Sequence, residues 1–304
     1  MSWTPQEIPK LDGKIAVISG ANSGIGYYTA LELAKHKAIV YLACRSKEKA
    51  TQAIADLLID CPSGQFIFIE LDVANQKSID ACSKELISKV DHLDILINNA
   101  GIMDTPTLQK TVDGFEAQMG TNHFGSFALT AKLMSLLLKS TQPRVVTVSS
   151  FLAKQANFTI ESLAYTVENY NAKVAYANSK AANQLFAYEL HNRASSANSN
   201  LLSIAVHPGW SQTNLFRERK SLKGLLTQIA TKLKAQSAQQ GAWPSLYAAT
   251  SPDIKSGQFY GPNGKNEYKG HPIQLQPPVF VQNKQFQSDF FDYSQQQTNT
   301  QFQF

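Results

Sequence analysis

Short apolar runs alternate along the chain with longer segments of helical periodicity. The runs at 14–19, 39–43, 65–70, 95–98, 144–149 and 201–207 are continuous and rich in β-branched residues, as in strands covered on both faces. Between them, 25–35, 47–58, 76–89, 122–139 and 176–193 read as helices. This β-α-β-α order predicts an α/β fold: one doubly wound parallel sheet with right-handed crossovers and helices on both faces. No repeat or linker-like break interrupts it, so residues 1–270 read as one domain.

Two segments depart from the pattern. Residues 153–174 lie between a strand and a helix without clear periodicity. Residues 265–304 are rich in Gln, Asn and Phe, and the stretch 271–304 reads as a tail whose end is frayed or low in complexity.

Composition narrows the classes. A hydrophobic content of 43% with 17% charged residues suits a folded chain. The net charge of +5 comes from scattered Lys and Arg, with no basic stripe interleaved by aromatics, so nucleic acid is not an expected partner. The three cysteines, Cys44, Cys61 and Cys82, form no C-x-x-C pair and no closed disulfide framework. No metal site is expected. The N-terminus lacks a charged region followed by an apolar one, and no apolar run reaches spanning length. A soluble cytoplasmic protein is the expectation.

The first strand runs into Gly20-Ala-Asn22-Ser23-Gly24-Ile25-Gly26, which opens the first helix. Glycines permit a tight turn and close approach to a pyrophosphate, and the helix N-terminus offers free N–H groups. The turn therefore reads as a Rossmann-type dinucleotide site. The end of the second strand discriminates between cofactors. An acid there would bind ribose hydroxyls, but this chain has Cys44-Arg45. Arg45 can fork two hydrogen bonds to a phosphate, which predicts NADP(H).

Further along, Tyr176 and Lys180 stand at i and i+4, which places a phenol and an ammonium on one helix face. A fixed positive charge near a phenol favours its ionised form and pulls its pKa down. With a dinucleotide site in the same chain, the pair points to hydride transfer between an alcohol and a carbonyl.

Over about 10–270 the chain resembles the short-chain dehydrogenase/reductase family. The resemblance rests on the glycine turn, Asp72-Val73, Asn98-Asn99-Ala100-Gly101, Asn122, Ser149-Ser150, Tyr176-x-x-x-Lys180 and Pro208-Gly209 with Thr213, all in family order. Ala43-Cys44-Arg45, His207-Pro208-Gly209 and the long stretch before Tyr176 are most similar to the retinol-dehydrogenase-like, NADP-preferring branch. The resemblance implies that Asp72 and Val73 meet the adenine and that Asn99, Ala100 and Gly101 line the cofactor. It implies that Pro208, Gly209, Trp210 and Thr213 hold the nicotinamide end and the diphosphate. It implies four catalytic residues. Tyr176 exchanges the proton, Ser150 steadies the reacting oxygen, Lys180 keeps Tyr176 acidic and binds the nicotinamide ribose, and Asn122 anchors a water leading from Lys180 to solvent. Ser149 competes with Ser150, since neighbours on a strand point opposite ways; family alignment favours the second. The insert 153–174 is then expected to wall the substrate cleft.

Residues 211–236 follow the Pro208-Gly209 turn, where the family builds a lid. Leu222, Leu225, Leu226, Ile229 and Leu233 recur at helical spacing among Lys223, Lys232 and Lys234. A lid helix packed on the domain and a basic amphipathic segment touching a membrane both fit. Phe151, Phe158, Trp210 and Phe216 suggest an apolar cleft for a small lipophilic carbonyl or alcohol substrate. Family members commonly form homo-oligomers through two long helices, and nothing in the sequence fixes that here. The rival reading is a non-catalytic NADP(H)-sensing binding protein, since fold alone does not decide function.

Overall fold

A computed structural model describes residues 2–211 and 235–304. Among them, eight strands form one sheet in the order β3-β2-β1-β4-β5-β6-β7-β8. These are β1 (Ile15–Ser19), β2 (Ile39–Cys44), β3 (Gln65–Glu70), β4 (Ile95–Asn98), β5 (Arg144–Val148), β6 (Leu202–Val206), β7 (Phe259–Pro262) and β8 (Pro272–Leu275). The first seven pair in parallel, and β8 pairs antiparallel with β7 at the edge. The doubly wound sheet is as expected; the antiparallel β7–β8 edge is an addition that its short, mixed sequence did not announce. The order reverses between β1 and β4. A crevice opens beyond the strand ends at such a switch point.

The main helices are α1 (Gly24–Lys35), α2 (Lys47–Asp60), α3 (Gln76–Lys89), α4 (Gly125–Leu137), α5 (Ala172–Ser196), α6 (Trp243–Thr250) and α7 (Lys284–Thr298). Every residue of β1, β4 and β5 is buried, because helices cover both faces. One face packs Ile18, Val40, Ile97 and Val146 against Leu33 and Leu246. The other packs Val17, Leu96 and Val145 against Leu133, Phe186 and Phe291.

The end of the chain departs from the frayed tail expected. Residues 284–298 form α7, capped by Asn283, which accepts from the Phe286 amide, and closed by Asn299 at φ 48°. Phe290 and Phe291 are each 1% exposed. The many Gln side chains obscured an inward face of Phe286, Phe290 and Tyr293 at helical spacing. Phe158 also departs from expectation. It lies buried against Phe280, Phe286 and Phe290, so it fastens the insert to α7 instead of lining a cleft.

Candidate active site

The glycine turn is built for close approach. Gly20 and Gly24 have φ of 69° and 57°, where a side chain is strained. A Cβ on Gly26 would stand 2.6 Å from the Gly20 carbonyl oxygen and 2.7 Å from Asn99 Nδ2. The Asn99 amide donates to the Ser19 and Gly20 carbonyls. Ser19, which sequence reasoning missed, is a second brace: its Oγ accepts from the Asn99 and Ala100 amides. Its place as the last strand residue before the turn was the available signal. Ser23 precedes α1 and makes no side-chain cap bond, so the first-turn amides keep their donors free of it.

This turn floors a cleft of about 320 Å³ at the switch point. Gly20, Asn22, Ser23, Gly24 and Ile25 line it from β1 and α1. Arg45, Asp72 and Val73 line its far end, and Asn99, Ala100 and Gly101 line its middle. Tyr176, Lys180 and Pro208 close the near end. Gly26 lies behind this surface, and Gly209 and Trp210 stand just beyond Pro208. Thr213, Phe216 and most of the expected lid, 212–234, lie outside the described residues. Leu71, Ile102, Thr121 and Val148 also line the cleft; their bland apolar or hydroxyl character gave no signal.

Arg45 Nη1 stands 3.8 Å from Asp72 Oδ2, with the Arg45 side chain 79% exposed. So loose a surface pair leaves the guanidinium available to another anion. Asp72 also accepts from the Ala74 amide, which holds the turn after β3.

Asn122 sits in a π-helical turn, Gly120–Phe124. Such turns recur at functional sites because the i→i+5 spacing disturbs the carbonyl ladder. Its amide accepts from the Ile102 amide at 2.7 Å and donates to the Ile102 carbonyl and Ser179 Oγ. The side chain is therefore a clamp on the segment after β4. A Cβ on Gly101 would crowd Asn122 Oδ1 at 3.0 Å and Lys180 Nζ at 3.3 Å, so the bare glycine keeps this part of the cleft open.

The two serines follow the end of β5 and have different partners. Ser149 lines the cleft, and its Oγ donates to the Lys180 carbonyl at 2.6 Å and accepts from Gln184. Ser150 Oγ accepts from the Leu152 amide at 3.2 Å and stands near enough to the Tyr176 phenol to oppose its rise. Lys180 Nζ donates to the Val148 carbonyl at 3.0 Å and sits 5.9 Å from the centre of the Tyr176 ring. Burial pushes the Tyr176 phenol up to about 12, partly opposed by Ser150, and pushes Lys180 down to about 8. Desolvation of the buried phenol is the largest influence on it, and Ser150, not Lys180, is the group that opposes it.

The cleft suits an extended dinucleotide: a side-chain-free phosphate turn at one strand end, open glycines along the floor, and a hydroxyl–phenol–ammonium cluster at the end. The sequence pattern of the short chain dehydrogenases matches residues 14–223. Retinol dehydrogenase 11 of Homo sapiens is 38% identical over 253 residues, 83% of this chain and 78% of that protein. The short chain dehydrogenase/reductase dpchH of Colletotrichum higginsianum is 33% identical over 298 residues, covering 91% and 72%. An uncharacterized protein from Mycobacterium paratuberculosis superposes with a TM-score of 0.82 at 34% identity, with all of both chains covered. The chain belongs to the short-chain dehydrogenase family, whose oxidoreductases work with a nicotinamide dinucleotide on small molecules, and is retinol-dehydrogenase-like within it.

Proposed function

We propose that this chain is an NADP(H)-dependent oxidoreductase that interconverts an alcohol and an aldehyde or ketone on a lipophilic substrate. The observation that carries the reading is the meeting of Tyr176 and Lys180, with Ser150 beside the Tyr176 phenol, in the same cleft that the glycine turn floors. Gly20 to Gly26 and the α1 N-terminus would hold the diphosphate, and Asp72 and Val73 the adenine. Arg45, with no carboxylate at the end of β2, supports a 2′-phosphate. Lys180 would hold the nicotinamide ribose. When bound, the dinucleotide supplies or accepts the hydride.

The chain's own residues handle the proton and the charge. Tyr176, neutral at pH 7, gives a proton to the substrate oxygen in the reductive direction. Ser150 donates a hydrogen bond to the same oxygen as charge builds on it. Burial of this cluster strengthens both effects by excluding water. The retinol dehydrogenases among the relatives, and Phe151 and Trp210 beside the catalytic end, support an apolar substrate.

A panel of retinoid, steroid and other lipophilic aldehydes and ketones, followed by NADPH absorbance, tests the reading. Turnover of at least one with NADPH, and much less with NADH, is expected. A flat panel with intact NADPH binding would favour a cofactor sensor.

A further inference from the structure

The turn at Pro208 and Gly209 is held from behind by three side chains that the chemistry above does not use. His207 is fully buried. Its Nδ1 accepts from the Gly209 amide at 3.1 Å, so the ring proton must sit on Nε2. Nε2 stands 3.1 Å from Glu267 Oε2, off the ideal hydrogen-bond axis, and neither atom has a hydrogen-bond partner elsewhere among the described residues. The other carboxylate oxygen accepts from Lys154 Nζ. Lys154 belongs to the 3₁₀ turn Phe151–Gln155, which Ser150 caps by accepting from the Leu152 amide.

The series Lys154, Glu267, His207, Gly209 thus ties the segment that bears Ser150 to the turn at the same end of the cleft. The backbone is bent to make this joint. Asn266 and Glu267 have successive positive φ values of 56° and 58°. A glutamate has no local reason to adopt that conformation, and such strain persists where surrounding contacts fix it. The following residue completes the joint. The Tyr268 carbonyl accepts from the Trp210 amide at 2.8 Å, and its ring meets Trp210 and Phe151 at 5.1 and 5.5 Å. A Cβ on Gly209, at φ 65°, would stand 2.4 Å from that same Tyr268 carbonyl oxygen.

We propose that Glu267, backed by Lys154, is a positioning residue for the nicotinamide end of the cofactor: it locks His207 in the Nε2–H tautomer, and His207 sets the Gly209 amide and the Pro208 turn. This rests on reading the cleft as a dinucleotide site. The charges agree with it. Burial holds His207 below its usual value, while the contacts with His207 and Lys154 bring Glu267 down to about 2, so a carboxylate faces a neutral ring at pH 7.

The test compares wild type with Glu267→Ala, Glu267→Gln and Lys154→Ala. Binding is measured for NADPH and for 2′-phospho-ADP-ribose, which lacks the nicotinamide. Nitrogen-15 NMR of labelled histidine reads the His207 tautomer. Glu267→Ala is expected to weaken NADPH by about tenfold while the fragment changes by less than about twofold. Glu267→Gln keeps an acceptor and Lys154→Ala keeps the carboxylate, so both should lose less; they serve if the alanine variant does not fold. Wild-type His207 should carry its proton on Nε2 at pH 7, and Glu267→Ala should mix the tautomers. Equal weakening of both ligands, no weakening, or a wild-type proton on Nδ1 would overturn the proposal. A wild type that binds neither ligand overturns the dinucleotide reading instead, and the NMR result still decides the joint.

Discussion

Lys180 gives its ammonium hydrogen to the Val148 carbonyl, 3.0 Å away at the end of β5. The Asn183 amide donates to the same oxygen, also at 3.0 Å. Two donors on one carbonyl fix where the lysine's charge lies relative to Tyr176, one turn earlier on α5. This buried cation is held at about 8 by desolvation.

A pH dependence follows from its sign. Lys180 is charged below about 8 and neutral above it, while Tyr176 stays protonated up to about 12. Reductive turnover should therefore be level near neutrality and decline as pH rises through about 8, when the ammonium proposed to hold the cofactor ribose is lost. Oxidative turnover needs the Tyr176 proton removed and should gain with rising pH over the range in which Lys180 is still charged. Initial rates in both directions across pH 6 to about 10 check this. A reductive profile that climbs through pH 8 contradicts it.

Gly26 supplies a test of the turn. A methyl there would press within 2.6 Å of the Gly20 carbonyl, an atom that cannot move without opening the turn. Gly26→Ala should weaken NADPH binding by at least about tenfold, equivalent to about 1.4 kcal/mol. Isothermal titration would measure it, with circular dichroism to show that the fold survives.

Arg45 tests the choice of cofactor. A charge-assisted hydrogen bond is worth roughly 1.5–3 kcal/mol, so Arg45→Ala should weaken NADPH roughly 10- to 100-fold and leave NADH nearly unchanged. Competitive binding of the two dinucleotides separates the outcomes. Equal loss for both would remove Arg45 from phosphate recognition.

Phe290 tests α7. It is 1% exposed and touches Phe158, Phe286 and Tyr293. Replacing a buried Phe by Ala typically costs about 3–5 kcal/mol, and Phe290→Ala should lower the denaturation midpoint accordingly. A midpoint within error of wild type would mean that α7 contributes little to the core.

The parts legible in the sequence were those with a strong local pattern. The buried strands β1 and β5 announce themselves as β-branched runs, and Tyr176 and Lys180 by a fixed helical offset. The parts missed depend on partners far along the chain. Ser19 looks like any strand-end serine until Asn99 and Ala100, 80 and 81 residues later, donate to it. The Phe face of α7 was hidden among Gln residues and acquires meaning only against Phe158 and the helices it covers. The raised phenol of Tyr176 was illegible for another reason: spacing reports which charges are near, but only the packed structure reports how much water is gone.

The central claim is that Tyr176 carries the proton at the substrate oxygen while other groups hold the cofactor. Steady-state turnover of Tyr176→Phe, alongside NADPH titration, tests it most directly. Turnover should fall by about 10²–10⁴-fold, with NADPH affinity within about threefold of wild type. Turnover that persists in a variant still binding NADPH would contradict the account.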